Sequence, residues 1–236
     1  MTGILAIETS TDACSVALAV DNSVTERHEV VPRRHNQRLF QMLDELLGER
    51  DLGAAGVTHI AYGSGPGSFT GLRVAVSAVQ GLAFASGLPV VAVPSLAVVA
   101  QTALCEGLLQ PHEHVLATID ASVDELYAAL YRFDNGLAVP QYGPLVAAPE
   151  ELPLQAGTCK IAVGSGCAYA ARFPQEWAAA LGDRCHTSVL PRAAHMIPLA
   201  LSAIEGGDTQ SAMQASPVYV RDQVSWKKLA EQGKAS

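Results

Sequence analysis

The chain has 236 residues, 49% of them hydrophobic, with a net charge of −8 and a pI near 5.3. That length suits one two-lobed body with a substantial core, and the acidic balance excludes strong independent binding to nucleic acid, whose affinity rests on Lys and Arg neutralising phosphates. The five cysteines are odd in number and include no Cys-x-x-Cys pair, which argues against a disulfide framework and a zinc site. The start, Met1-Thr-Gly-Ile-Leu-Ala-Ile-Glu8, lacks the basic, apolar and cleavage regions of a signal peptide, so the expected compartment is a reducing cytoplasm.

In chain order, Ile4–Ile7 and Cys14–Val20 read as strands joined by the polar turn Glu8-Thr-Ser-Thr-Asp12, and Ser23–Arg27 as a third. Leu39, Met42, Leu43, Leu46 and Leu47 recur at helical spacing and predict an amphipathic helix ending near Gly48. A strand at His59–Tyr62 then runs into Gly63-Ser-Gly-Pro-Gly-Ser-Phe-Thr-Gly-Leu-Arg73, followed by an apolar helix over 72–85. From Val74 to Cys105 there is no charged residue, but Gln80, Ser86, Gly87, Pro89, Pro94 and Ser95 divide the run into helix, strand (Val90–Val93) and helix, which reads as buried core and not as a membrane span. The lobe boundary is expected near Gly107 to Glu113, giving lobes of 1–106 and 107–236. Later, Pro191–Ala203 reads as a helix begun near Ala193, Gly206–Asp208 as a turn and Ala215–Arg221 as an extended piece. The ending from Trp226 is polar, and the tail from about 207 is expected to return to the first lobe.

The second half echoes the first. Ile7–Leu18 lies on Ile119–Leu130, with acids at the second and sixth places and Ser at the fourth of both, and Ile60-Ala-Tyr-Gly-Ser-Gly65 lies on Ile161-Ala-Val-Gly-Ser-Gly166. A duplicated unit of hairpin, helix and strand with a glycine turn is the expected architecture, an α/β fold of the actin-like or sugar-kinase-like kind. It would turn Glu8, Asp12, Asp120 and Asp124 towards one cleft, where carboxylates can hold Mg²⁺ or orient a hydroxyl; equally, Asp, Ser and Thr favour turns for backbone hydrogen bonding alone. The loop residues Gly63, Gly65, Gly67, Ser68, Thr70 and Gly71 make either a tight strand-to-helix connection or an anion seat at a helix start. The loop is not a P-loop, since no Gly-Lys-Ser/Thr follows, and Arg73 is its one nearby cation. No His-x-x-x-His pair, Gly-x-Ser-x-Gly elbow or Cys–His arrangement supports a metal, serine or cysteine enzyme; His112-Glu-His114 is a weak ligand candidate, and His35 reads as a surface or capping residue.

The segments Ile4–Leu18, Gly63–Arg73, Ile119–Tyr127 and Pro217-Val-Tyr-Val-Arg221 together resemble the TsaB/YeaZ family, from Ile4 to about Leu229. The resemblance implies an ASKHA fold of two lobes, and a non-catalytic role beside a TsaD-like catalytic subunit, with a TsaE-like ATPase, in making threonylcarbamoyladenosine next to the anticodon of tRNAs that read codons beginning with A. No cofactor is expected on this chain, because nucleotide and metal belong to the TsaD-like subunit. Contact with tRNA would come only through the complex, and a homodimer is implied for the chain alone. The resemblance also implies that the contact is a bundle of the helices matching 35–48 and 68–86, for which His35, Leu39, Met42, Leu43, Leu46, Arg73, Val76, Val79 and Gln80 are the expected interface residues. The family pattern has Asp where Glu8 stands here. An autonomous ASKHA ATPase or kinase is the alternative.

Overall fold

The computed structural model describes residues 2–153 and 159–220. The turns and apolar runs fold into two five-stranded sheets. The first joins β1 (Ile4–Glu8), β2 (Ala13–Val20), β3 (Ser23–Val30), β4 (His59–Gly65) and β5 (Val90–Pro94) in the order β3-β2-β1-β4-β5. The second joins β6 (His114–Ser122), β7 (Glu125–Asp134), β8 (Leu137–Ala147), β9 (Cys159–Val163) and β10 (Cys185–His186) in the order β10-β9-β6-β7-β8. Read from opposite ends these orders are one topology: three antiparallel strands, then two added in parallel.

Alternation along the first sheet sets its two faces. Leu5, Ile7, Val16 and Leu18 meet helices α1 (His35–Leu47) and α2 (Phe69–Ser86), whereas Ile4, Ala6, Ala17 and Val91 meet α5 (Ala193–Glu205). Helix α3 (Ser95–Cys105) turns Leu96, Val99, Ala100 and Ala103 onto Val115, Ala117 and Ile119 of the second sheet, while its Val98 joins the first-sheet core with Met196. The other face of the second sheet is closed by α4 (Gln175–Leu181), where Trp177 and Leu181 pack with Leu116, Leu126 and Cys167. The middle layer is therefore exchanged: the last helix of each repeat covers the sheet of the other repeat.

This exchange revises the expected tail. The chain returns to the first lobe at Ala193, earlier than 207, and continues as a strap. Gln210 bridges to Val90, Ala215 is buried, Ser216 bonds Tyr62 through both its N–H and its carbonyl, and the N–H of Val218 donates to the Ser64 carbonyl at 2.7 Å. The readings at Arg221 and beyond lie outside the described residues.

The repeats also differ in register. Ile7 faces Tyr62 across β1 and β4, but Val163, the counterpart of Tyr62, faces Ala117, two residues short of Ile119. Gly63 thus abuts Glu8, whereas Gly164 abuts Thr118 and leaves Asp120 beyond the covered end of the sheet. The second hairpin is also tighter: its pairing shifts between Asp120 and Ser122, and Ser122, Val123 and Asp124 all have positive φ.

Candidate functional site

The acidic turn after β1 and the glycine loop before α2 form one packed unit. Glu8 is fully buried; its carboxyl accepts hydrogen bonds from the Ser10 N–H at 2.6 Å and the Ser95 hydroxyl at 3.1 Å. Burial pushes the Glu8 carboxyl above the ordinary carboxylate range, and those hydrogen bonds offset only part of the shift. Thr9 donates from its hydroxyl to the Gly71 carbonyl at 2.8 Å, and the Ser68 N–H donates to the Ser10 carbonyl at 2.7 Å.

The glycines make this contact possible. A Cβ would lie 2.0 Å from a Glu8 carboxylate oxygen at Gly63, 2.3 Å from the Ser10 carbonyl oxygen at Gly67 and 1.9 Å from the Thr9 carbonyl oxygen at Gly71. Gly65, at φ +108°, donates its N–H to Ser95. Of the two readings left open for the loop, the geometry favours the tight connection. Ser68 caps α2 by accepting from the Gly71 N–H, and its own N–H is taken by Ser10, so two of the N–H groups at this helix start already have partners. Thr70 is exposed beside the loop.

The four acids do not converge, which corrects the expected arrangement. Glu8 is sealed in the first lobe, and Asp12 is exposed with its carbonyl holding the Val31 N–H. Asp120 and Asp124 are exposed on the second lobe; Asp120 accepts from the Ser122 N–H at 2.8 Å and the Tyr169 hydroxyl at 3.2 Å, and Asp124 pairs with Arg172 at 3.0 Å. The register offset between β4 and β9 is the physical cause, since it buries one acid and releases its counterpart. Among the described residues no three His, Cys, Asp or Glu side chains are grouped so that they could hold a metal ion.

The outward face of α1 and α2 is the second candidate. His35, Leu39, Met42, Leu43, Leu46, Val76 and Val79 are all buried in their own lobe, the imidazole of His35 lying 3.2 Å from the Ala13 carbonyl oxygen. Their apolar stripe packs on the first sheet, so they do not form an exposed contact surface and His35 is no surface cap. Gln80 is likewise engaged, donating to the Ala215 carbonyl at 2.9 Å.

What the two helices turn outwards was missed by reading the stripe alone. Between them runs a groove of about 460 Å³ lined by Asn36, Phe40, Phe69, Thr70, Arg73 and Val74, among others. Phe40 and Phe69 are 51% and 56% exposed, and Phe84, further along α2, is 80% exposed. The Arg73 guanidinium lies over the Phe69 ring at 3.7 Å, and Tyr219 of the strap completes the cluster, its ring 5.8 Å from Phe69 and its hydroxyl accepting from Arg73 at 3.3 Å. Large aromatic side chains off the main stripe, at Phe40 and Phe69, were the available sequence signal.

Two sheets of one duplicated topology, clasped by helices between and outside them, define an ASKHA protein, the class of actin-like and sugar-kinase-like folds. The family model described as TsaD: tRNA N6-adenosine threonylcarbamoyltransferase matches residues 19–158. The tRNA threonylcarbamoyladenosine biosynthesis protein TsaB of Escherichia coli is 37% identical, over 96% of this chain and 97% of that protein, and the Haemophilus influenzae protein of the same name is 36% identical over 96% of each. The solved structure of YeaZ from Pseudomonas aeruginosa superposes with a TM-score of 0.80 at 39% identity, covering 93% of this chain and all of that one. The chain belongs to the TsaB/YeaZ family.

Proposed function

We propose that this chain acts in tRNA threonylcarbamoyladenosine biosynthesis as a non-catalytic subunit, binding a TsaD-like catalytic subunit through the outward face of α1 and α2. The observation that carries the reading is the groove with Phe40, Phe69 and Arg73 at its walls: exposed aromatic side chains beside an arginine have the composition of an interface core. The glycine loop and the acidic turn support the non-catalytic part, because they do not fit a nucleotide's phosphates. Thr9 and Ser10 occupy the space against Gly71 and Gly67 that a phosphate would need. Nucleotide and metal are accordingly assigned to the TsaD-like partner. The TsaE-like ATPase joins that pair, tRNA is met through the complex, and the chain alone forms a homodimer through the same face.

The test mixes the purified chain with a TsaD-like subunit and follows complex formation by light scattering and modified nucleoside in tRNA by mass spectrometry. Phe40→Glu with Phe69→Glu should weaken the complex by two orders of magnitude or more, since burying each phenylalanine is worth about 1.5–3 kcal/mol and about 1.4 kcal/mol is tenfold in affinity. Unchanged binding and modification by a folded double variant would refute the surface. ATP turnover by the chain alone would favour the autonomous ATPase instead.

A further inference from the structure

Three of the five cysteines gather in the second lobe. Cys159 opens β9, Cys167 lies in the 3₁₀-helical stretch Ser165–Arg172 that follows it, and Cys185 opens β10. Backbone pairing brings the last two together: β10 pairs with β9 so that Cys185 faces Ala162, the Gly164 N–H donates to the His186 carbonyl, and the Cys167 N–H donates back to the Gly164 carbonyl, both at 3.0 Å. Both side chains pack on one apolar cluster with Phe173 and Trp177, but their access differs. Cys167 is 4% exposed, whereas Cys185 is partly exposed on the edge strand of its sheet.

We propose that Cys185 and Cys167 are a redox-active thiol pair that exchanges with small-molecule disulfides, Cys185 being the attacking sulfur and Cys167 the resolving one. In the first step the Cys185 thiolate bonds to one sulfur of the disulfide and expels the other half as a thiolate, which takes a proton from water. In the second, Cys167 loses its proton to solvent, attacks the Cys185 sulfur and expels the remaining half. Two protein thiols are oxidised to one internal disulfide, and one external disulfide is reduced to two thiols.

The surroundings assign the roles. A hydrogen bond with Cys167 lowers the Cys185 thiol to about 7, although burial opposes this, and the same bond with burial pushes Cys167 far up. The Thr118 hydroxyl, 3.5 Å from the Cys167 sulfur, and the His186 backbone also bond that thiol and act in the opposite direction. Nearby Arg184 is engaged by Glu113, and Lys160 lies within β9 and His186 within β10. Burial pushes Cys159 up to about 11 and Cys14 to about 12, which keeps both as inert thiols. Cys105 is exposed without a neighbouring thiol and serves as an internal reference.

The full chain is incubated with oxidised glutathione at neutral pH, quenched in acid and mapped by peptide mass spectrometry. The expected product is a Cys167–Cys185 disulfide. Cys167→Ser should stop at a glutathione adduct on Cys185, and Cys185→Ser should leave Cys167 unmodified. A Cys159–Cys185 bond, or glutathione on Cys105 with Cys185 untouched, would overturn the pair. Should the buried Cys167→Ser chain fail to fold, alkylation of the parent decides: Cys185 should react with a midpoint below the ordinary thiol value of 9.0, and a midpoint at or above that value would overturn the assignment.

Discussion

Helix α2 contains two glycines for which one substitution should have opposite effects. Gly71 sits in its first turn, and a Cβ there would lie 1.9 Å from the Thr9 carbonyl oxygen, a backbone atom that cannot swing aside. Gly71→Ala therefore forces the helix start away from the acidic turn. Overpacking of this kind costs about 1–3 kcal/mol, and stretching the buried Thr9–Gly71 hydrogen bond adds about 1 kcal/mol. The better helix propensity of Ala returns about 0.5–1 kcal/mol, leaving a net loss of about 1–3.5 kcal/mol. For a chain of this size that is a fall of about 2–14 °C in Tm. Gly81, ten residues on, has nothing within 4 Å of the same added atom and is exposed, so Gly81→Ala keeps only the propensity gain and should raise Tm by about 1–4 °C. Thermal unfolding by circular dichroism of the two single variants makes the comparison. A Tm for Gly71→Ala within a degree of the parent, or equal shifts of one sign in both variants, would refute the close-contact reasoning.

The buried carboxyl of Glu8 has a folded pKa above its ordinary 4.5, so the folded state holds the proton more tightly and stability should fall as pH rises from about 4.5 through the folded value; Glu8→Gln should flatten that slope in urea titrations, and a parent–variant difference constant with pH would contradict it. Glu26 behaves oppositely. Burial raises it, but hydrogen bonds from the Ala194 N–H, Arg192 and the Ser15 hydroxyl outweigh burial and hold it below 4.5, so its stabilisation is full above that pH and is lost as pH falls through the folded value. Glu26→Gln should make the acid limb shallower, and an unchanged limb would show that α5 is not clamped there. Glu8→Gln combined with Asp120→Asn should keep modified nucleoside within about threefold of the parent at saturating partner, whereas a hundredfold loss with binding intact would place catalytic groups on this chain.

Periodicity located most strands and helices because apolar spacing reports which residues are covered. It does not report what covers them. The stripe Leu39–Leu46 is as regular as a partner-facing seam would be, and only the sheet beneath it tells the two apart. The same limit hid the exchange of α3 and α5, whose apolar residues give no hint that their partners lie in the other repeat. The duplication itself was visible in Gly-Ser-Gly and in the acidic turns, yet a two-residue slip of one parallel strand decided which acid is buried. Strand β8 and helix α4 escaped notice: Pro140, Gly143 and Pro144 interrupt the one, and only seven residues make the other.

The exchanged middle layer also sets an order on biosynthesis. When the first half has left the ribosome, α3 is present but the sheet it covers is not, and the inner face of the first sheet, with Ile4, Ala6, Ala17 and Val91, has no lid until Ala193–Glu205 arrives. The first repeat thus waits, with apolar surface open to solvent, for synthesis of nearly the whole chain. Expressed alone, residues 1–106 should collect in inclusion bodies or on chaperones, and adding residues 107–236 as a separate chain should recover them.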